Sequence, residues 1–556
     1  YCSKECQVSH WSLHKKDCRH EYMKSDWQPD WVRKNRSPAI SDTSHPTRLI
    51  LSGSRKPEYI WGNTPAVDCL QLSHNEGVLE SLTRDFNVCF AASGDIRNMV
   101  MTVNNLPENY QGRCNILLND HSPIITTRNI LILYALLHRG PTIESAAELA
   151  LHLMYSARLR AADSSELRAR AQVVYGDMFP CQDDSHDNSE GPMILKTLKI
   201  RGKGKLYATQ VTAHLYKEPL RMLKATHSLK DTQNALHSAM LNPKRIDYLE
   251  RYFCGLKPAH RLSDFRFREK GVLFPFSVDV TEFQEPNPLM FSPDGEWLTR
   301  DDANPLFSWN INDVLHFGKE HGLDPADTFG CLFFYVKGQF MEFARRVERF
   351  NINIHVSQLE ASVAAHALSR GMLNPIGKES KFDRVETSNV VDYIKIPRLL
   401  NDWSPLLNRT NVHATLLMYS MNWFLYQPAF YLLPLFGSNS SDISTYASQG
   451  TDLKSVFAQG TQSRMATVVG HCEEPFIENS EQLLSHLSSP EIKSAFETNK
   501  MHMRIKNRIH PRRYGISLSD HPSALPIRMT REEFYNTYML GGCEAGVRFL
   551  EFENGI

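Results

Sequence analysis

The sequence of 556 residues has no excess of charge: 62 Lys and Arg balance 62 Asp and Glu. A chain without a net field has no global attraction for nucleic acid or for an anionic membrane surface. Several short patterns that carry enzymatic chemistry are also missing. There is no His-Glu-x-x-His helix, no Walker-type phosphate loop and no Gly-x-Ser-x-Gly nucleophile turn. Gly515-Ile516-Ser517-Leu518-Ser519 lacks the second glycine of that turn, and Arg201-Gly202-Lys203-Gly204-Lys205 lacks the Lys-Ser/Thr ending of a phosphate loop. The longest uncharged run, Ala414 to Ser441, is interrupted by Asn422, Gln427, Pro428 and Pro434. It reads as a buried strand followed by a loop, so no membrane partner is expected. The eleven cysteines are odd in number and eight stand singly. That usage fits a reducing compartment, the cytoplasm or nucleus, better than a disulfide scaffold. No signal peptide opens the chain, and its start at Tyr1 is read as that of a fragment.

What is present is an ordinary globular composition, with 42% hydrophobic and 22% charged residues. The clearest architecture lies in Asn87 to Leu137. Val88-Cys89-Phe90-Ala91-Ala92 reads as a strand buried on both faces, and Ser93-Gly94-Asp95 as its turn. Ile96 to Leu106 has helical spacing and stops at Pro107. Asn115 to Leu118 is a second strand ending in Asn119-Asp120, and Thr126 to Leu137 a second helix. Two successive βα units imply a parallel, doubly wound sheet with ligand positions at the carboxyl ends of its strands. Further strands are expected at Ile352–Val356, Phe382–Ser388 and His413–Ser420, giving five in all.

The remaining chain divides by composition. Residues 1–20 form a Cys/His cluster, and 21–58, polar with four prolines, a linker. Residues 59–140 begin an α/β Rossmann-like unit, 141–350 form a large helix-rich insertion, and 351–436 resume the sheet. A mixed region follows at 437–556. Within the insertion, Phe265 to Phe276 reads as strand, and Cys181 to Pro192 as an acidic surface loop. Arg504, Lys506, Arg508, Arg512 and Arg513 put five cations into ten residues. They read as an exposed charged segment, with an anion- or partner-binding patch as the alternative. Gly541-Gly542-Cys543-Glu544 reads as a turn in which nothing activates the thiol.

Tyr1 to Cys18 reads YCSKECQVSHWSLHKKDC. His14 and Cys18 are four apart, so on a helix both project from one face, and thiolate and imidazole are the ligands tetrahedral zinc prefers. With Cys2 and Cys6 upstream, and with Gln7, His10, Trp11 and Lys15, this spacing closely resembles the second half of a MYND-type zinc finger. The resemblance implies two interleaved zinc sites. Cys2 and Cys6 would complete the first and His14 and Cys18 the second, so each site is half present here. It also implies a protein partner offering a short proline-containing peptide, with Gln7 and Trp11 lining the groove; a packing role for Trp11 stands beside that reading.

WGNTPAVD at Trp61, FAASGDIRNM at Phe90, NILLND at Asn115 and FDRVETSNVVDYI at Phe382 resemble a domain of unknown function in fungal MYND-finger proteins. A related domain occurs in axonemal dynein assembly factors. Its layout is similar to that of class I methyltransferases, which implies an S-adenosylmethionine position at Gly94, Asp95 and Asp120, with Asp120 accepting from the ribose. The loop carries one glycine where active enzymes have two or three, and Asp95 and Arg97 are placed to pair with each other. The simpler reading makes Gly94 an αL turn and Asp120 a helix cap or loop carboxylate, and it is the one we favour. Asn389 and Asp392 fall on the same edge, as pocket or cap. The Asn-His-Ser-Cys motif of a SET lysine methyltransferase is absent. The expectation is a zinc-binding adaptor with a degenerate methyltransferase-like body and no catalytic residues; a methyltransferase using S-adenosylmethionine is the alternative.

Overall fold

The computed structural model describes residues 4–39, 57–176, 194–210, 217–373, 375–423, 474–476 and 478–555. Eleven strands occur among them: β1 (Phe86–Phe90), β2 (Arg113–Asp120), β3 (Arg158–Leu159), β4 (Ile194–Lys199), β5 (Lys205–Gln210), β6 (Glu285–Pro286), β7 (Asn351–Gln358), β8 (Arg384–Glu386), β9 (Thr415–Ser420), β10 (Met501–Met503) and β11 (Arg548–Asn554). Nine form one sheet in the order β10-β11-β9-β8-β1-β2-β7-β5-β4, and β3 pairs with β6 apart from it. From β5 to β9 every neighbour is parallel; β11 and β4 run against theirs. The central strands β1, β2 and β9 are buried on both sides over most of their length, which is why they read in the sequence as apolar runs. Asn87, Asn115 and Asn353 stand in register across β1, β2 and β7; Asn353 donates to the Asn115 carboxamide oxygen at 3.1 Å and Asn115 to that of Asn87 at 2.9 Å. A one-residue slip of any of the three strands would break this ladder.

Helices Arg97–Asn104, Pro123–Leu137 and Thr328–Arg349 pack one face of the sheet, and Ala361–Ser369 and Ile396–Trp403 the other. Pro123–Leu137 has no polar stripe because helices Ile143–Tyr155, Ala161–Tyr175 and Thr328–Arg349 and strands β2 and β7 surround it. Among the described residues no helix is long and apolar enough to cross a membrane.

Three expectations need revision. The sheet has nine strands, not five: the insertion contributes the β4–β5 hairpin and the C-terminal region contributes β10 and β11. The hairpin turn fits only because Gly204 has no side chain, since a Cβ there would lie 1.7 Å from the Ile352 carbonyl oxygen. Residues 265–270, expected as strand, belong to helix Pro258–Lys270, which ends at Gly271 in the αL conformation. The alternating Phe265-Arg266-Phe267-Arg268 mimics a period of two, but Asp264 and Arg268 form a buried i,i+4 pair that only a helix allows. Residues 21–39, expected as linker, are packed over most of their length. Trp31 is fully buried, Arg36 makes two 2.6 Å bonds to Asp247, and Arg261 donates to the Tyr22 and Lys24 carbonyls. The acidic loop Cys181–Pro192 lies outside the described residues, as does the Ala414–Ser441 run beyond Trp423.

Candidate functional site at the carboxyl ends of the strands

The chain runs from β1 to β2 to β7 in one direction across the sheet, then returns to β8 and β9 on the other side of β1. The reversal between β1 and β8 is where an open α/β sheet offers its crevice. Gly94, Asp95, Asn119 and Asp120 all stand there, as their places at the ends of β1 and β2 imply.

Their bonds are already taken. One Asp120 carboxylate oxygen accepts the Gly94 N–H at 2.9 Å and the other the Ser122 N–H at 2.9 Å, with His121 Nδ1 3.2 Å away. Gly94 sits at φ +56°, and its carbonyl accepts from Asn129 at 2.7 Å. Asp95 faces Arg97 at 2.7 Å, and both side chains are buried. The Gly62 N–H occupies the other Asp95 oxygen at 2.8 Å.

That last contact belongs to a feature the sequence did not announce as part of this site. Segment 58–64 runs across the strand ends as a strap. Ser122 donates to the Glu58 carboxylate at 2.9 Å, at the β2 end. Arg97 donates to the Thr64 carbonyl and hydroxyl at 3.0 and 3.2 Å. The Asn63 amide lies 3.4 Å from Met421 Sδ, just past β9. Trp61 anchors the strap through an indole bond of 2.8 Å to the Met154 carbonyl. A Cβ at Gly62 would fall 2.0 Å from the Arg97 guanidinium carbon, so a side chain there would push the guanidinium from its place. Burial pulls the Arg97 guanidinium down, but Asp95 outweighs it and holds the group above its ordinary value.

Beneath the strap, at the β8 end, Glu386 is wholly enclosed, and burial pushes its carboxyl up to about 7 despite the Ser388 N–H it accepts. Asp392 accepts the Ser420 hydroxyl and the Met421 N–H, so it caps the end of β9. Both Asn389 and Asn63 direct their amides at Met421 Sδ. Burial pushes the Cys543 thiol up to about 12, which leaves it inert as a nucleophile.

The N-terminal cluster lies on helix Lys4–Cys18. His14 Nε2 and Cys18 Sγ face each other at 3.0 Å. Tetrahedral zinc with these two ligands would hold them about 3.5 Å apart, so the pair fits half of such a site with little movement. Trp11 is exposed and its ring lies 5.9 Å from that of His14. Cys2 lies outside the described residues, as do the side chains of Cys6 and Gln7. Among the described residues no group of three or more metal-ligating side chains converges. The helix is tied to the body where Asp17 accepts from Arg266 at 2.5 and 2.9 Å.

The basic run behaves differently from its sequence reading. Arg504, Arg512 and Arg513 are buried, and Arg504 pairs with Glu551 at 2.9 Å. The fully buried Glu551 carboxylate also accepts the N–H groups of Arg508, Ile509 and His510, at 2.8 to 3.1 Å. One acidic side chain on β11 thus shapes the loop that composition alone presents as a cationic surface.

The class these observations define is a mixed α/β protein built on one parallel-dominated sheet, with its switch-point crevice crossed by its own strap. The family comparison falls on that same part of the chain. Residues 60–159 match the model of a domain of unknown function, DUF4470, a span that opens within the strap and takes in β1 and β2. WGNTPAVD, FAASGDIRNM and NILLND lie inside the match and FDRVETSNVVDYI outside it. No curated protein and no solved structure matches the chain.

Proposed function

We propose that this chain is a zinc-binding adaptor: a MYND-type finger presents a peptide-binding face, and a methyltransferase-like body serves as its scaffold. The layout half of this reading rests on the parallel sheet that reverses between β1 and β8, with loops after β1 and β2 at the carboxyl edge. The observation that carries the scaffold reading is Asp120. Both its oxygens accept backbone N–H groups of the chain itself, and Glu58 of the strap sits on the neighbouring Ser122. Asp120 is also buried, so a ribose could reach its remaining lone pairs only by displacing the strap, and the residues as placed do not fit S-adenosylmethionine.

For the finger, the support is the His14–Cys18 pair on one helical face. Zinc held there with two upstream ligands would staple a helix that has little core of its own. His14 and Cys18 would bind it, and Gln7 and Trp11 would face the proline-containing peptide. The setting of such a protein is the cytoplasm or nucleus.

Calorimetric titration of the folded chain with S-adenosylmethionine is expected to give no heat of binding. Tight binding that disappears in Asp120→Ala would overturn the scaffold reading in favour of the methyltransferase. Metal analysis of a chain extended upstream of Tyr1 is expected to return two zinc per chain; one or none would overturn the ligand assignment.

A further inference from the structure

Three loops meet near the amino-terminal ends of β8 and β9, away from the strap. They are residues 75–80, residues 408–413 and residues 504–510. Hydrogen bonds lock them together: Asn75 to the Arg508 carbonyl at 3.4 Å, Asn411 to Glu76 at 2.9 Å, and Arg504 to the His413 carbonyl at 3.4 Å. Beneath them Glu76 and Arg384 form an ion pair of 2.7 Å with neither side chain exposed, so the platform is rigid.

On this platform stand the three most exposed large apolar side chains of the described residues. Ile505 is 84%, Val412 79% and Leu79 77% accessible, one from each loop. Single exposed apolar residues are ordinary, but here the three highest exposures fall on three loops hydrogen-bonded to one another. The rim around them is positive: Arg409, Lys506 and Arg508 are exposed there, against one exposed acid, Glu80. The Arg508 guanidinium lies 3.3 Å from His413 Nδ1 and has no carboxylate partner among the described residues. Burial, with Arg384, Arg508 and Arg504 nearby, keeps the His413 imidazole below its ordinary value, so arginine and lysine carry the charge at neutral pH.

We propose that these loops are a docking surface for an acidic segment of another protein. Its apolar side chains cover Leu79, Val412 and Ile505 while its carboxylates pair with Arg508 and Lys506. A second copy of this chain would present the same cations to the same cations across a two-fold axis, which disfavours self-pairing. A nucleic-acid backbone would satisfy the rim and leave the apolar centre against phosphate.

The test is fluorescence anisotropy of the whole chain with a labelled peptide alternating Glu and Leu, beside Lys/Leu and Glu/Ser control peptides. The Glu/Leu peptide alone should bind, more weakly as salt rises. Arg508→Glu and Ile505→Ser should each weaken it about tenfold or more, the loss typical of a central contact. Val412→Ser is the second apolar variant should Ile505→Ser fold poorly, and unchanged circular dichroism and melting check each one. No binding of the Glu/Leu peptide overturns the proposal. So does equal binding of the Lys/Leu peptide, binding unchanged in all variants, or a sedimentation dimer that Arg508→Glu abolishes.

Discussion

The two ends of one sheet have opposite characters. At the carboxyl ends of β1, β2 and β8, where a doubly wound sheet ordinarily binds its ligand, polar groups are buried and committed to each other and to the strap. Near the amino ends of β8 and β9, where residues ordinarily serve stability, the buried polar groups are committed too, but three apolar tips and the cations around them face water. The position of a crevice in a fold is therefore a weak guide to whether the crevice is free. What decides is whether the hydrogen-bonding capacity of the groups lining it is already spent.

The comparison can be broken most severely by removing one partner of a buried ion pair. Asp95→Ala leaves the Arg97 guanidinium without a carboxylate under the strap, and urea unfolding should show a loss of about 3–5 kcal/mol. Glu76→Ala does the same to Arg384 at the other end and should cost a similar amount. A loss below about 1 kcal/mol at Asp95 alone would mean that the strap is not part of the folded core.

A pH series sharpens the contrast. Burial raises the Glu386 carboxyl to about 7, so the neutral form is favoured on folding. Its contribution is complete below the ordinary glutamate range and is lost as pH rises through about 7. Glu386→Gln should therefore match the wild type near pH 5 and exceed it by about 1–3 kcal/mol at pH 8. Denaturant midpoints at the two pH values measure this, and a gap that does not widen with pH contradicts the assignment.

Smaller effects follow. Asp120→Asn keeps an acceptor for one of its two N–H donors and should lose about 1 kcal/mol. Ile505→Ser should change thermal stability by less than about 0.5 kcal/mol, because its side chain meets water and not the core. If Ile505→Ser unfolds the protein more readily than Asp120→Asn, the two ends are not different in the way described.

Much of the parallel sheet was legible. The continuous apolar runs of β1, β2 and β9 announce strands buried on both faces, and the pairing of Asp95 with Arg97 was readable from their spacing. The β4–β5 hairpin was not, because Thr197, Lys199 and Lys205 give these strands a polar face. Helix Pro258–Lys270 was misread because two aromatic residues alternate with arginines whose partners, Asp17 and Asp264, reveal the true period only once they are placed. Gly94, Asp95, Asn119 and Asp120 stand at the strand ends where the strand pattern puts them. The strap over them was invisible, because Gly62 and Glu58 carry no motif that says they cross the sheet.

The sequence by itself determined the local elements and the one-face placement of His14 and Cys18, because helical and strand periodicities act over a few residues. Only the tertiary structure decided which polar groups are spent. Asp120 meets an N–H 26 residues upstream, Ser122 finds Glu58 across 64, and Arg504 finds Glu551 across 47. A carboxylate's partner is chosen by where the packed core delivers distant backbone, and no local pattern records that delivery.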